Sequence, residues 1–194
     1  MTLLLRALWI TAALATASPA LAQDTTPPPT DPAPPAEEEA APAAPEPEPD
    51  FVTEVFGDWE RRCTPDNSNC FMYQVALNQE GNPVSEVSIV AIEGQQAAAG
   101  ATIVTPLGTL LTEGLVIQVD GGEARRYEYQ FCNRSGCFSR FGIDADYLLS
   151  LKRGATALMR VFSVSNPSQP VTLQLSLTGF TAAFDGLPPT TLNQ

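Results

Sequence analysis

The sequence has no histidine and only one lysine, and both shortages limit the chemistry open to it. Without histidine the chain cannot form a Ser-His-Asp triad or a Cys-His pair, and it has no imidazole general base. The G-x-S-x-G nucleophile elbow, the P-loop and the G-x-G-x-x-G fingerprint are also missing. The sequence therefore predicts no catalytic residues, no cofactor and a protein that is not an enzyme.

Two kinds of histidine-free catalysis stay open as alternatives. A Ser–Lys dyad would need Lys152, which lies in the last turn of a predicted helix, where a cation favours the helix dipole. A pair of carboxylates could act as acid and base, but the candidates Asp144 and Asp146 occupy positions typical of a helix start. A histidine-free hydrolase is therefore the second alternative function.

Long hydrophobic runs are missing as well, because no segment approaches the roughly 20 apolar residues that a membrane-spanning helix needs. The mostly apolar run Ala7–Ala17 follows a single charge at Arg6 and precedes the small-x-small triplet at residues 20–22. This arrangement is typical of a secretory signal peptide. We predict a signal peptide at residues 1–22, cleaved between Ala22 and Gln23, and a periplasmic mature chain without a membrane span; surface association or secretion is the alternative.

Residues 23–50 differ in composition from the rest of the chain. Ten of these 28 residues are proline, eight are aspartate or glutamate, and none is basic or aromatic. Such a stretch buries too little apolar surface to offset the entropy of ordering it, and its prolines remove backbone donors. We predict a disordered Pro/Ala/Glu-rich linker, partly in the polyproline II conformation. A ligand for proline-recognising domains is the alternative, based on P-A-P-P at residues 32–35.

The remaining residues are sufficient for one domain with its own core, predicted over residues 51–187 and followed by a flexible tail at 188–194. The net charge of the full chain is −12, of which the linker carries most, and residues 51–194 hold 14 acidic and nine basic side chains. This balance gives no reason to expect nucleic acid, which requires a basic surface. The expected partner is an unknown envelope protein or ligand, and the oligomeric state is open.

The four cysteines form two closely spaced pairs. Cys63 and Cys70 enclose Thr-Pro-Asp-Asn-Ser-Asn, and Cys132 and Cys137 enclose Asn-Arg-Ser-Gly; both segments have turn chemistry. Paired cysteines of an exported chain persist as disulfides. Of three possible connectivities we prefer Cys63–Cys70 and Cys132–Cys137, because a hairpin loop places such residues opposite each other. The spacing does not suit a zinc site or a C-x-x-C redox pair, so no metal is predicted.

After residue 51 the hydrophobic pattern mainly has a period of two, which indicates half-buried strands. Turn signals rich in glycine, proline and asparagine separate the segments. The alternating segments are residues 59–63, 87–91, 115–119, 127–131 and 173–177. Many short strands with frequent turns predict an all-β fold, an antiparallel sandwich or barrel.

One segment, Asp144–Arg153, interrupts this pattern. It has an acidic N-cap, acids in its first turn, bases in its last turn and a glycine directly after it. We predict one short helix there, with Leu148 and Leu151 facing the core and Leu149 as a further candidate. Residues 178–184 could add a second helical turn.

An aromatic stripe, Tyr127, Tyr129 and Phe131, precedes the second cysteine pair. In a hairpin closed by that pair, Phe131 lies opposite Phe138 and Tyr129 opposite Arg140. We interpret the stripe as one face of the core, with a cation–π contact between Tyr129 and Arg140 at its edge. A stacking platform for a ligand ring is the alternative.

Several arginines lie around the two cysteine pairs, and a convergent group of them could meet an anionic partner. Because neighbours on a strand point to opposite faces, we favour solvated side chains paired with Glu60, Glu123 and Glu128. Trp59 is interpreted as a core residue. The arginines are Arg61, Arg62, Arg125, Arg126, Arg134 and Arg140.

Five phrases occur in a characteristic order along residues 51–187. They are FGDWERRC (56–63), Gln74 four residues after Cys70, TPLGTLLTEGLVIQVDGG (105–122), CNRSGC (132–137) and LSLTGFTAAFDGL (175–187). In this order they resemble the invasion-associated locus B (IalB) family, which is bacterial and common in alphaproteobacteria. The resemblance implies an exported, immunoglobulin-like β-sandwich with paired cysteines and no established catalytic activity.

Residues and resemblance together predict an exported, disulfide-stabilised, non-catalytic β-sandwich that acts as a binding or interaction module in the periplasm or envelope. The first alternative is a surface or secreted factor that promotes contact with host cells or invasion, as the family name suggests. The sequence names neither the ligand nor the partner.

Overall fold

The computed structural model describes residues 50–93 and 97–190. The predicted signal peptide with its cleavage site at Ala22 and Gln23, almost all of the predicted linker and the last four residues lie outside this part. The described chain contains eleven strands, two α-helices and one 3-10 helix. They are β1 (Val52–Phe56), β2 (Trp59–Cys63), β3 (Cys70–Leu77), β4 (Pro83–Ala91), β5 (Ala99–Thr105), the 3-10 helix (Leu111–Glu113), β6 (Leu115–Val119), β7 (Ala124–Tyr127), β8 (Phe131–Asn133), β9 (Gly136–Ile143), α1 (Ala145–Arg153), β10 (Thr156–Ser163), β11 (Asn166–Ser176) and α2 (Phe180–Asp185).

The strands form two half-sheets that are joined at one point. One half-sheet has the order β7-β6-β10-β11 and the other β1-β2-β3-β4-β5-β9-β8. The pairings between these strands are antiparallel, and β11 meets β3 through one residue pair, Gln174 and Leu77. The sheet curls so that its inner faces share one core, which confirms the predicted all-β, sandwich-like fold.

The core follows from the period-two pattern. Buried residues alternate with more exposed ones along β3, β5 and β6, because successive side chains of a strand point to opposite faces. Trp59 is fully buried, as predicted: its ring packs edge-to-face on Phe180 and its Nε1–H donates to the carbonyl of Ser176 at 2.9 Å.

The helix predicted at 144–153 is present as α1. Asp144 caps it, accepting a hydrogen bond from the backbone N–H of Tyr147 at 2.7 Å. Leu148 and Leu151 are buried as predicted, whereas Leu149 is exposed because it lies on the opposite side of the helix. The structure adds the second helix α2, which lies within the segment 178–187 and overlaps the optional helical turn.

The strand registers give the molecule two ends. Cys70, Ala91, Ala99 and Ile143 lie at the end where α1 follows β9, which we name the helical end. Leu77, Pro83, Thr105 and Cys137 lie at the opposite end, named the loop end. The two cysteine hairpins therefore occupy opposite ends of the sheet.

Candidate functional site

The junction between β3 and β11, named the first seam, is held together by a side chain as well as by backbone pairing. The Nε2 of Gln74 donates to the carbonyls of Asp58 at 2.8 Å and Ser176 at 3.2 Å, and its Oε1 accepts from the N–H of Ser176 at 2.9 Å. Gln74 is only 8% exposed. Its amide therefore replaces the backbone hydrogen bonds that a regular ladder would supply.

Two glycines bring the β1–β2 turn onto the same seam. Gly57 and Gly179 both have positive φ, and a Cβ on Gly57 would lie 2.6 Å from the carbonyl oxygen of Thr178. This close approach lets the N–H of Asp58 donate to Thr178 at 3.1 Å. The hydroxyl of Ser176 then donates to the Asp58 carboxylate at 2.6 Å, which fixes that carboxylate beside the seam.

A cleft of about 730 Å³ opens along this seam. Its apolar lining includes Val75 and Leu77, with Leu77 40% exposed. Its polar lining consists of carboxylates, amides and hydroxyls from four strands, the β1–β2 turn and the β3–β4 turn. The polar residues are Asp58, Glu60, Tyr73, Gln74, Asn78, Gln79, Thr156, Gln174 and Ser176.

The charged groups that line the cleft, Asp58 and Glu60, are both acids. Arg62 compensates part of this charge, because it pairs with Glu60 at 2.7 Å and lies 3.9 Å from the ring centroid of Tyr73. Burial raises the pKa of Tyr73, and the nearby Glu86 carboxylate raises the pKa further. The cleft is thus a concave, anionic surface with an apolar part.

A second seam lies where residues 128–130 run beside β9. The side chain of Gln130 bonds the backbone of Arg140 twice, accepting from its N–H at 2.6 Å and donating to its carbonyl at 3.2 Å. The predicted pairing of Tyr129 with Arg140 is therefore wrong. Arg140 lies instead 5.3 and 5.8 Å from the ring centroids of Phe131 and Phe138.

The aromatic stripe is only partly a core face. Tyr127 stacks on Phe141 with ring centroids 3.5 Å apart, and Tyr127 and Tyr129 pack against the core. Phe131 is 41% exposed and stacks on Phe138, its partner across the hairpin as predicted. The stripe leaves the core at Phe131 because the chain crosses from one half-sheet to the other at this point.

Both cysteine pairs are joined in the structure, Cys63 to Cys70 and Cys132 to Cys137. Cys70 belongs to the core, while Cys132 is exposed on the edge strand β8. The disulfides therefore close the two hairpins next to the seams, β2–β3 at the helical end and β8–β9 at the loop end.

The first hairpin loop is organised around the Asp66 carboxylate. The hydroxyl of Thr64 donates to it at 2.6 Å, and the N–H and hydroxyl of Ser68 donate at 3.1 and 2.9 Å. These bonds, that of Thr64 first, lower the pKa of Asp66 to about 2. In the second hairpin loop the corresponding acceptor is the neutral amide of Asn133, which accepts from the N–H of Ser135 at 2.8 Å.

The arginines do not converge on one site. The expected pairing with Glu60 is present, through Arg62, whereas the other ion pairs of the described residues use different acids from those expected. Arg61 pairs with Glu54 and Arg125 with Asp144, and Arg126 donates to the carbonyl of Thr112. The predicted partners Glu123 and Glu128 form no ion pair in the described part of the chain, and Arg134 is exposed in the second hairpin loop.

The residues considered for histidine-free catalysis have structural roles. Lys152 donates to Asp185 at 2.6 Å, not to a serine. Asp144 caps α1 and pairs with Arg125, and the Arg125 guanidinium lowers the pKa of Asp144. Asp146 lies in the first turn of the same helix. In residues 50–93 and 97–190, no three histidine, cysteine or acidic side chains come together as metal ligands would.

Sequence reasoning did not single out Asp58, Tyr73 or Ser176, which meet at the cleft. Asp58, Gln74 and Ser176 occur inside the phrases that carry the family resemblance, but nothing in those phrases indicates a site. The contacts that assemble the cleft join residues 102 and 118 positions apart, and no local pattern reports them.

Neither helix in the described part of the chain has the length and apolar character of a membrane span.

Comparison with known proteins supports one family. Two invasion protein B homologs, from Brucella abortus strain 2308 and B. abortus biovar 1 strain 9-941, are each 27% identical over 139 residues, which cover 69% of this chain and 78% of theirs. The crystal structure of invasion associated protein B from Bartonella henselae is similar in fold, with a TM-score of 0.59, 24% identity and coverage of 68% of this chain and 92% of that one. The model of the invasion associated locus B (IalB) family matches residues 59–188, which include both cysteine hairpins and both α-helices, and the chain therefore belongs to the invasion associated locus B family.

Proposed function

We propose that this protein is an exported, non-catalytic binding module of the bacterial envelope and that the cleft at the first seam holds its ligand. The proposal is supported by the predicted signal peptide and by the cleft volume of about 730 Å³, which lies within the range of roughly 300–1,000 Å³ typical of ligand sites. The two disulfides suit the oxidising periplasm.

One observation carries the proposal, namely the way Gln74 holds the cleft. Its buried amide holds the backbone groups of Asp58 and Ser176 through three hydrogen bonds. A cleft whose walls are fixed before binding loses little conformational entropy when a ligand arrives. A seam with only a structural role could instead be closed by further backbone pairing between β3 and β11, beyond the single pair Leu77 and Gln174.

A pull-down from periplasmic and outer-membrane fractions tests this function. The bait is the oxidised, exported protein, compared with Leu77→Arg, which fills the cleft, and Leu107→Arg, a matched change at a 60% exposed residue outside it. We expect a partner that the wild type and Leu107→Arg capture and Leu77→Arg does not. Equal capture by all three proteins would place binding elsewhere, and no capture by any of them would remove the support for a binding module.

The names of the relatives favour a second candidate, a surface or secreted factor that promotes host-cell contact. Two curated relatives are described as invasion protein B homologs. Protease treatment of intact cells separates the two locations: a periplasmic protein is protected until the outer membrane is opened, whereas a surface factor is degraded at once.

A histidine-free hydrolase is the third candidate, and the cleft does hold two carboxylates, Asp58 and Glu60. Both are already engaged, Asp58 by the Ser176 hydroxyl and Glu60 by Arg62. Neither is therefore placed as a free acid or base. Turnover of any envelope glycan or ester by the wild type that Glu60→Gln abolishes would overturn the non-catalytic assignment.

A further inference from the structure

We propose that the second cysteine hairpin carries a separate binding site, for a sugar ring with a carboxylate in an acidic glycan of the envelope. We name this site the aromatic platform, and it consists of Phe131, Phe138, Arg134 and Arg140. It goes beyond the function proposed for the first seam, because Phe138 lies three strands away from Val75, a lining residue of that cleft in the same cross-strand row.

The two rings of the platform do not serve the core. Phe131 is 41% exposed, and neither Phe131 nor Phe138 belongs to the core cluster or to the partly buried side chains packed against it. The rings stack on each other with centroids 4.8 Å apart and planes inclined by 15°. Because β8 is an edge strand, the face of Phe131 that points away from Phe138 has no strand beside it in the described part of the chain. An exposed aromatic pair outside the core indicates a binding surface.

Two arginines supply positive charge beside these rings. The guanidinium carbon of Arg140 lies 5.3 Å from the ring centroid of Phe131 and 5.8 Å from that of Phe138. Arg134 is exposed in the turn that joins β8 to β9. Within the described residues neither of these arginines forms an ion pair, whereas three other arginines of the domain do.

Ring face and guanidinium together define the chemistry of the ligand. An aromatic ring face carries partial negative charge, so the C–H groups on one face of a sugar ring pack favourably on it. A guanidinium binds a carboxylate through two parallel hydrogen bonds. A sugar ring that carries a carboxylate can use both contacts at once, on Phe131 and on Arg140.

Two acids limit the region of positive charge. Glu86 lies in the same cross-strand row as Phe138 but two strands away, with Val104 between them. Glu128 precedes β8, where its backbone carbonyl accepts from the hydroxyl of Ser139. The positive charge is therefore local in a domain that has more acids than bases. It suits one or a few acidic sugar units better than a dense polyanion such as nucleic acid, which requires an extended basic surface.

The backbone that carries the platform is fixed before any ligand arrives. The disulfide of the second hairpin joins its two strands next to the rings. The side chain of Gln130 bonds both the N–H and the carbonyl of Arg140. Gly136 packs the turn against β5 so closely that a Cβ there would collide with the carbonyl oxygen of Thr105. A fixed platform loses little conformational entropy on binding, which favours recognition through a small contact area.

The test measures binding of trigalacturonic acid to the full oxidised protein by titration calorimetry and saturation-transfer NMR. Two control ligands separate ring from charge: the methyl ester of the same trisaccharide keeps the rings without the charges, and triglutamate keeps the charges without the sugar rings. We expect saturation transfer from aromatic protons to the sugar C–H groups and at least about tenfold weaker binding of both controls. Equal binding of either control, or no binding of trigalacturonic acid, overturns the proposal.

Four protein variants locate the contact. Phe131→Ser removes the open ring and Arg140→Gln removes the charge, and each should weaken binding at least about tenfold. The matched controls lie at the helical end: Leu149→Ser changes a 46% exposed apolar residue, and Arg153→Gln changes an exposed arginine in the last turn of α1. Both controls should bind within about twofold of the wild type, and thermal unfolding shows that each variant is folded. Wild-type affinity in Phe131→Ser and Arg140→Gln, or equal losses in the controls, overturns the proposal.

A competition experiment tests the envelope as the source of the ligand. The acidic polysaccharide fraction from the envelope of the producing cells should displace trigalacturonic acid, and the same fraction after chemical reduction of its carboxyl groups should not. Displacement by both fractions, or by neither, overturns the assignment to an acidic envelope glycan. The outcome is independent of the Leu77-dependent pull-down, so a failure here leaves the function proposed for the first seam standing.

Discussion

The two seams of the curled sheet are both places where a regular hydrogen-bond ladder is interrupted, and they differ in how deeply they are buried. At each, a glutamine side chain bonds backbone groups where a regular ladder is interrupted, and at each a disulfide hairpin lies alongside. Gln74 is buried and joins residues 102 positions apart, whereas Gln130 is exposed and bonds a residue ten positions away. Since an unsatisfied buried polar group costs more than an exposed one, the first seam should govern stability and the second should be tolerant to change.

The largest expected difference concerns the disulfides. Closing loops of this length contributes roughly 2–2.5 kcal/mol each in the chain-entropy model. Each pair has one buried member, Cys70 or Cys137, but Cys70 and its partner Cys63 contact the main core cluster, whereas Cys137 lies outside that cluster and its partner Cys132 is exposed. Replacing Cys63 and Cys70 by alanine should lower the free energy of unfolding by about 3–4 kcal/mol, and replacing Cys132 and Cys137 by about 2 kcal/mol. Urea denaturation of both double variants measures these losses. Equal losses would contradict the prediction that the first hairpin is more deeply packed in the core than the second.

The glutamines give the next largest difference. Gln74→Leu leaves the N–H of Ser176 and the carbonyl of Asp58 without their partner, so we expect a loss of about 2–3 kcal/mol. In Gln130→Leu the backbone N–H and carbonyl of Arg140 lose their partner but can bond water instead, so the loss should be less than about 1 kcal/mol. The same denaturation experiment compares them. A loss of similar size in both variants would show that burial does not separate the seams.

Acid should distinguish the two hairpin loops. The pKa of Asp66 is lowered from 3.8 to about 2, so the folded loop favours the charged form. Its contribution to stability is complete above pH 3.8 and is lost as the pH falls towards about 2, because the unfolded chain binds the proton first. Asp66→Asn should therefore flatten the pH dependence of the urea midpoint in this window, and Asn133→Asp in the second hairpin should steepen it. Parallel pH profiles for all three proteins would contradict this prediction.

The smallest effects are expected at the arginines that lie over aromatic rings. Arg62 contacts Tyr73 at 3.9 Å and pairs with Glu60, whereas Arg140 lies more than 5 Å from the ring centroids of Phe131 and Phe138. Arg62→Ala should cost about 1 kcal/mol and Arg140→Ala about 0.5 kcal/mol or less. Thermal unfolding at low and high salt measures both. A larger loss for Arg140→Ala would mean that the second seam relies on this stack.

The parts of the fold that could be predicted are those with a local signal. Alternation located the strands around Val87, Ile117 and Leu175, and capping residues located α1, because both patterns lie within ten residues of chain. The error at Tyr129 has a local cause: the chain changes half-sheets between β7 and β8, so the β8–β9 ladder begins at Phe131 and its register does not extend back to Tyr129. The cleft could not be predicted, since Asp58, Gln74 and Ser176 meet only after the half-sheets have joined.

The contact between Gly57 and Gly179 joins the first described hairpin to the end of the domain. Gly57 and Gly179 each lie against the other turn's backbone, so a side chain at either position would collide with it. Trp59 finds its hydrogen-bond acceptor, the carbonyl of Ser176, in the same region. The first β-hairpin to be synthesised therefore completes its contacts only when the last strand and α2 have emerged.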